Sequence, residues 1–102
     1  MTNKTESFQK VIDKNFKKVD LYTTALTRVH GHNHPEVFEV RELFEAIKSK
    51  IISESISKPD LDVEFSQLRQ ITQNYKVPTG VCEAYEGAYN MLSEIDQAYQ
   101  VK

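Results

Sequence analysis

Four side chains of this sequence have the chemistry of metal ligands and proton carriers: His30, His32, His34 and Cys82. The three histidines fall within five residues of one another, and Cys82 is the only cysteine. Neutral imidazole and thiolate are common protein ligands of zinc and of copper, and imidazole also suits iron. These four residues are therefore the candidates for a metal site.

The spacing of the histidines leaves three interpretations open. Residues two apart on a helix point in different directions, so this run is not helical ligand spacing, whereas a turn leaves the geometry free. We favour a helix-to-helix corner, in which His30 contacts the last carbonyls of one helix and Gly31 terminates it. Asn33 then begins the next helix with Glu36 as its capping partner. The alternatives are a native metal site and a proton-sensing or partner-contact role, for which imidazole is suited.

The elements that position these residues are predicted to be helices. Apolar residues recur at steps of three and four along almost the whole chain, and no alternating strand pattern is present. Breakers divide the chain into helices at about residues 5–29, 34–56, 60–74 and 79–100. Asn3 with Glu6 and, later, Thr79 are the predicted caps of the first and fourth helices. The predicted inward residues are Phe8, Val11, Ile12, Phe16, Val19, Tyr22, Leu26, Val29, Val37, Val40, Leu43, Phe44, Ile47, Ile51, Phe65, Leu68, Ile71, Tyr75, Cys82, Tyr85, Tyr89, Leu92, Ile95 and Tyr99.

Four amphipathic helices joined by short loops pack as antiparallel neighbours, because a short connection cannot cross the length of a bundle. We therefore predict an all-α fold, an up-down-up-down four-helix bundle, as one domain over residues 1–102. In that arrangement the histidine run, Tyr75 and Cys82 lie at one end of the bundle.

Composition and charge exclude several classes of function. The net charge of −2 gives no pull toward nucleic acid, and Lys10, Lys14, Lys17 and Lys18 are expected to form a solvated face. No apolar run approaches the length of a membrane span, and residues 1–4 lack the apolar core of a signal peptide. The expected address is the cytoplasm, with neither nucleic acid nor membrane as partner.

Signatures of catalysis are absent from the sequence. Its three glycines are isolated, so no phosphate-cradling loop exists, and there is no nucleophile elbow. Cys82 would lie in the first turn of the fourth helix, where a thiolate is favoured, but we expect a small buried hydrophobe there rather than a redox-active thiol. A non-enzymatic protein is the favoured interpretation.

Two segments carry a family resemblance. Thr27-Arg28-Val29-His30-Gly31-His32-Asn33-His34-Pro35 and the later spacing of Tyr75, Pro78, Cys82, Tyr85, Tyr89 and Leu92 resemble the repair-of-iron-centres proteins. The resemblance covers about residues 7 to 102. It implies a haemerythrin-like four-helix bundle, which in that family holds a non-haem di-iron centre used to repair iron–sulfur clusters damaged by nitric oxide or peroxide.

The same resemblance implies that most of the di-iron ligands are missing. The family's ligand positions fall on Gln9, Glu54, Lys58 and Gln100, its third-helix histidine has no counterpart, and its last bridging carboxylate would lie beyond the sequence. The small cysteine-containing N-terminal domain is also absent. His30 is separated from position 9 by roughly 31 Å of helix, so one metal centre cannot use both positions.

Taken with the residues, the resemblance predicts a degenerate, non-catalytic relative of the repair proteins, without a bound cofactor, that has an accessory or interaction role in bacterial nitrosative or oxidative stress. The alternative is a metal-binding repair or metal-transfer protein that uses His30, His32, His34 and Cys82. A third possibility is that a protein partner or a second copy of the chain completes the degenerate iron site.

Overall fold

The structure, a computed structural model, describes residues 4–53 and 59–101, and these form helices and turns without a strand. The helices are α1 (Lys4–Val29), α2 (Glu36–Ser53), α3 (Asp62–Thr72) and α4 (Glu83–Gln100). The predicted all-α class is therefore confirmed. None of the described helices combines the length and the apolar character that crossing a bilayer requires.

Three of the helices begin later than predicted. In the first corner, the N–H groups of Asn33 and His34 both donate to the carbonyl of His30, so Asn33 lies inside a turn and does not cap α2. At the last corner, Thr79 lies in a turn with Gly80, and Cys82 is the residue that caps α4. The predicted pairing of Asn3 with Glu6, and the predicted end of the second helix at residue 56, lie outside the described residues.

The core lies between α1 and its two neighbours, α4 and α2, while α3 packs on α2. Edge-to-face ring pairs join these helices, with Phe8 against Tyr99 and Phe16 against Phe44. Most predicted inward positions are buried or half-buried, which confirms the helical spacing as the main signal of the core. Val29 was predicted inward and is 64% exposed, and Leu61, which precedes α3, is buried without having been predicted.

Polar side chains also tie the helices together. Arg41 of α2 donates to the carboxylate of Asp20 on α1, and this hydrogen bond lowers the pKa of Asp20. Arg69 of α3 donates to the buried carboxylate of Asp96 on α4. By contrast, four lysines of α1 are exposed, as predicted for a solvated face: Lys10, Lys14, Lys17 and Lys18.

Candidate functional site

The ends of α1 and α4 bring a histidine and the cysteine together. His30 directly follows α1, and its N–H donates to the carbonyl of Leu26 at 2.8 Å, which continues the helical hydrogen bonding by one residue. Cys82 caps α4 with an extended backbone, and its carbonyl accepts the N–H groups of Tyr85 and Glu86. His30 Nε2 lies 3.2 Å from Cys82 Sγ. The two residues are therefore in hydrogen-bond contact although 52 positions separate them.

Gly31, the residue after His30, lets the backbone of the turn lie close to Thr27 of α1 and Phe38 of α2. A Cβ atom at Gly31 would lie 2.5 Å from the carbonyl oxygen of Thr27 and 2.6 Å from the ring of Phe38. The φ angle of Gly31 is not positive, so this glycine does not end α1 through a left-handed conformation. A glycine is needed here because the turn packs tightly against α1 and α2. From the sequence, Gly31 was instead predicted to terminate the first helix.

The rings of Tyr85, His30 and His34 contact one another, and both histidines are half-buried. The ring of Tyr85 is edge-on to His30 at 5.2 Å and to His34 at 5.4 Å between centroids, while the two imidazoles are 6.2 Å apart. The Tyr85 hydroxyl donates to Glu36 Oε2 at 3.2 Å, and His34 Nδ1 lies 3.3 Å from the same oxygen. Burial and the neighbouring Tyr89 hydroxyl raise the pKa of Tyr85.

We call His30, His34, Glu36, Cys82 and Tyr85 the corner group. Glu36 and Tyr85 were not predicted as members: Glu36 was assigned only a capping role, and Tyr85 only a place in the core. The two residues lie on different helices, 49 positions apart, so no pattern in the sequence indicates the hydrogen bond between them. Helix-to-helix contact, which is set by packing, created this part of the site.

Two predicted neighbours of the corner group lie elsewhere. His32 is exposed in the turn and makes none of the contacts described for the group. Tyr75 was predicted at the same end, but its hydroxyl donates to Asp96 near the end of α4, at 2.7 Å. The set His30, His32, His34 and Cys82 is thus only partly brought together.

Cys82 itself differs from its predicted state. It was expected to be a small buried hydrophobe on the stripe of the fourth helix, but it is exposed. The stripe fails at this position because α4 begins one residue later, so Cys82 belongs to the cap, where no neighbouring helix covers it. An exposed cysteine can donate sulfur to a soft metal ion.

The part of the chain that the structure describes contains no group of three His, Cys, Asp or Glu residues placed to hold a metal ion. His30 and Cys82 can together supply two ligands, a nitrogen and a sulfur. His34 is the nearest further donor, and its ring would have to leave Glu36 to join them. The corner group is therefore an incomplete ligand set in this conformation.

Two of the positions at which the sequence resemblance would place iron ligands have other partners. Gln9 is exposed and donates to Asp13 within α1, and Gln100 donates to Asp96 at 3.0 Å. Glu54 and Lys58 lie outside the described residues. Next to Gln9 and Gln100, the rings of Phe8 and Phe65 pack against Tyr99 at 5.7 and 5.0 Å between centroids.

Compared with known proteins, the chain matches no family model and no solved structure.

Proposed function

We propose that this chain is a haemerythrin-like, antiparallel up-down-up-down bundle related to the repair-of-iron-centres proteins, and that it acts as a non-catalytic accessory or interaction protein. Its setting would be the cytoplasmic response of bacteria to nitrosative or oxidative stress. The relationship rests on the sequence resemblance around His30 and Cys82. The loss of the di-iron function rests on packing.

The observation that carries the proposal is the aromatic packing beside the expected ligand positions. Phe8 is 1% exposed and packs on Tyr99, and the Tyr99 hydroxyl accepts the N–H of Leu61 and donates to Asp62. Two irons with their bridging ligands need a polar, hollow space between helices. Aromatic rings fill this end of the molecule, and the amide side chains of Gln9 and Gln100 are weak ligands that are already hydrogen-bonded.

A second candidate function is favoured by one contact. The 3.2 Å separation of His30 Nε2 and Cys82 Sγ provides two ligand atoms of the kind that zinc and copper prefer. With His34 reoriented, or with a ligand from another molecule, the corner group would form a small exposed metal site. Such a site suits a protein that hands a metal on, since an exposed and partly open ligand set allows exchange.

Elemental analysis of protein purified without a histidine tag distinguishes the two proposals. We expect iron far below one atom per chain, both as purified and after anaerobic incubation with ferrous iron. Two irons per chain would overturn the loss of the di-iron site. The second proposal predicts one zinc or copper per chain that is lost in His30→Ala and in Cys82→Ser and is kept in His32→Ala. His32→Ala is the matched control, because this histidine lies outside the corner group.

A further inference from the structure

A polar cavity of about 270 Å³ lies away from the corner group, between α4 and the end of α3 with the turn that follows it. Arg69, Tyr75 and Asp96 form its charged and aromatic part. Asn74, Ser93 and Gln97 contribute amide and hydroxyl groups to its walls. We call it the Arg69 cavity. Its volume lies just below the range of roughly 300–1,000 Å³ that is typical of small-molecule sites, so only a small ligand would fit.

The carboxylate in this cavity has no capacity left for a ligand. Asp96 is 3% exposed and accepts four hydrogen bonds: two from Arg69 Nη1 at 2.8 Å, one from the Tyr75 hydroxyl at 2.7 Å and one from Gln100 Nε2 at 3.0 Å. A carboxylate has about four acceptor sites. Asp96 is therefore saturated, and the charge of Arg69 balances its own. A cation would find no free oxygen ligand on it.

The guanidinium of Arg69, in contrast, has donors to spare. Only Nη1 is used, so Nε and Nη2 have no hydrogen-bond partner among residues 4–53 and 59–101. These two nitrogens form one edge of the planar group, and their N–H bonds are parallel. An edge of that shape matches the two oxygens of a carboxylate, which is the basis of bidentate recognition by arginine. Asp96 thus holds the guanidinium in place while one edge stays available.

The backbone beside the cavity is strained. Gln73, Asn74 and Tyr75 are three successive non-glycine residues in the left-handed region, with φ of 54°, 61° and 63°. That conformation costs roughly 1–2 kcal/mol for each residue. Hydrogen bonds from Asn74 N–H to the Arg69 carbonyl and from Tyr75 N–H to the Thr72 hydroxyl, both 2.8 Å, hold the turn. Strain of this kind gathers at ligand clamps, and here it places Asn74 and Tyr75 on the cavity wall.

From these features we infer that the Arg69 cavity binds a small polar carboxylate, such as a hydroxy acid or a short dicarboxylate. The free edge of Arg69 takes the carboxylate, and the amides and hydroxyl of the walls hydrogen-bond to the polar body. A single guanidinium, without a lysine among the described lining residues, suits a carboxylate better than a more highly charged phosphate. The inference does not rest on the proposed function: the corner group takes no part in it, and of the expected ligand positions only Gln100 lines this cavity, where it donates to Asp96.

Nuclear magnetic resonance titration of the full chain tests the inference. Succinate and malate are the probes, and succinamide and inorganic phosphate are the comparisons. We expect saturable shifts of the Arg69 Nε–H and of the Asn74 and Gln97 amides with the carboxylates. Succinamide should leave them unchanged. No saturable shift at tens of millimolar, or equal affinity for phosphate, would overturn the proposal.

Two variants separate binding from folding. Arg69→Lys keeps a positive charge near Asp96 but lacks the parallel donor edge, so we expect at least a tenfold loss of affinity. Arg28→Lys, on the exposed surface of α1, is the matched control and should bind as the native chain does.

Asn74→Gly removes the side-chain amide from the cavity wall. Glycine adopts the left-handed backbone of this position more readily than asparagine, so the variant should be more stable and bind severalfold more weakly. Native affinity in both variants would show that the cavity is not a carboxylate site.

Discussion

Gly31 has a hydrogen atom at the position where all other residue types have a Cβ. The carbonyl of Thr27 and the ring of Phe38 lie so near that a methyl group would overlap both. Because the obstacle on one side is backbone, it cannot move aside as a side chain would. The turn that holds His30 and His34 therefore depends on a glycine for reasons of space.

We predict that Gly31→Ala destabilises the protein by about 1–3 kcal/mol, which is typical of overpacking a tight site. Urea unfolding followed by circular dichroism measures the change. Gly87→Ala is the control: its Cβ would lie 2.9 Å from the ring edge of Tyr22, a half-buried side chain that can shift, and alanine favours the helix. Equal stability of Gly31→Ala and the native protein would contradict the packing argument.

The residue scale also shows where sequence reasoning succeeds and where it stops. The nearness of His30 and Cys82 could be predicted, because two helix ends were assigned to the same end of the molecule. The exposure of Cys82 could not, because its burial depended on whether α4 began before or after it. Glu36 joined the corner group through His34, two residues before it, and through Tyr85, a partner 49 residues away on another helix.

At the scale of elements, the interiors of the helices and the last residues of α1 and α4 were predicted correctly, but the starts of α2, α3 and α4 were not. Apolar spacing integrates over several turns, so Leu92 and Ile95 of α4 and Val37 and Val40 of α2 are buried as predicted. A helix start depends on a few hydrogen bonds in the adjoining turn. The carbonyl of His30 takes the N–H groups of Asn33 and His34, and that choice moved the start of α2.

The shortest helix, α3, depends on one carboxylate outside it. Asp96 joins Arg69 of α3 and Tyr75 of the following turn to α4, and its side chain is almost fully buried. Removing one partner of a buried ion pair leaves the other charge without compensation. The left-handed turn after α3 would lose its tyrosine anchor in the same step.

The side chain of Arg69 is 36% exposed, so water partly compensates its charge once Asp96 is removed. We therefore predict that Asp96→Ala costs about 2–4 kcal/mol of unfolding free energy, from the lost charged hydrogen bonds and the Tyr75 hydroxyl left without its acceptor. Amide hydrogen exchange should show the largest loss of protection in α3 and at Lys76, whose N–H donates to Thr72. Asp13→Ala, which removes an exposed carboxylate bonded only to Gln9 on the same helix, should change stability by no more than about 0.5 kcal/mol. A loss spread evenly over all four helices would argue against a local anchor.

At the scale of the whole molecule, burial has the same effect on the pKa of four tyrosine hydroxyls. Burial raises the pKa of Tyr75, Tyr85, Tyr89 and Tyr99 above the ordinary value of 10.0. Hydrogen bonds to Asp96 and Glu36 add to the effect at Tyr75 and Tyr85. The folded protein therefore holds these protons more tightly than the unfolded chain does.

Such a difference makes stability depend on pH in the alkaline range. Below the ordinary tyrosine pKa, both states are protonated and the stabilising contribution is complete. As pH rises above about 10, the unfolded chain loses protons that the folded state retains, so unfolding becomes more favourable. Each tyrosine contributes a slope of up to about 1.4 kcal/mol for each pH unit until its folded pKa is reached.

We predict that the urea midpoint is steady from neutral pH to about pH 9 and then falls steeply, and that tyrosinate absorbance rises together with the loss of helical signal. Tyr75→Phe and Tyr85→Phe each remove one titrating group, so the alkaline slope of the unfolding free energy should become shallower in both. At neutral pH the unfolding free energy of each variant should fall by the contribution of one hydrogen bond, about 1 kcal/mol. If the absorbance of more than one tyrosinate developed near pH 10 while the helical signal and the urea midpoint stayed constant, the four tyrosines would be ionising within the folded protein, and the buried positions of their hydroxyls would be wrong.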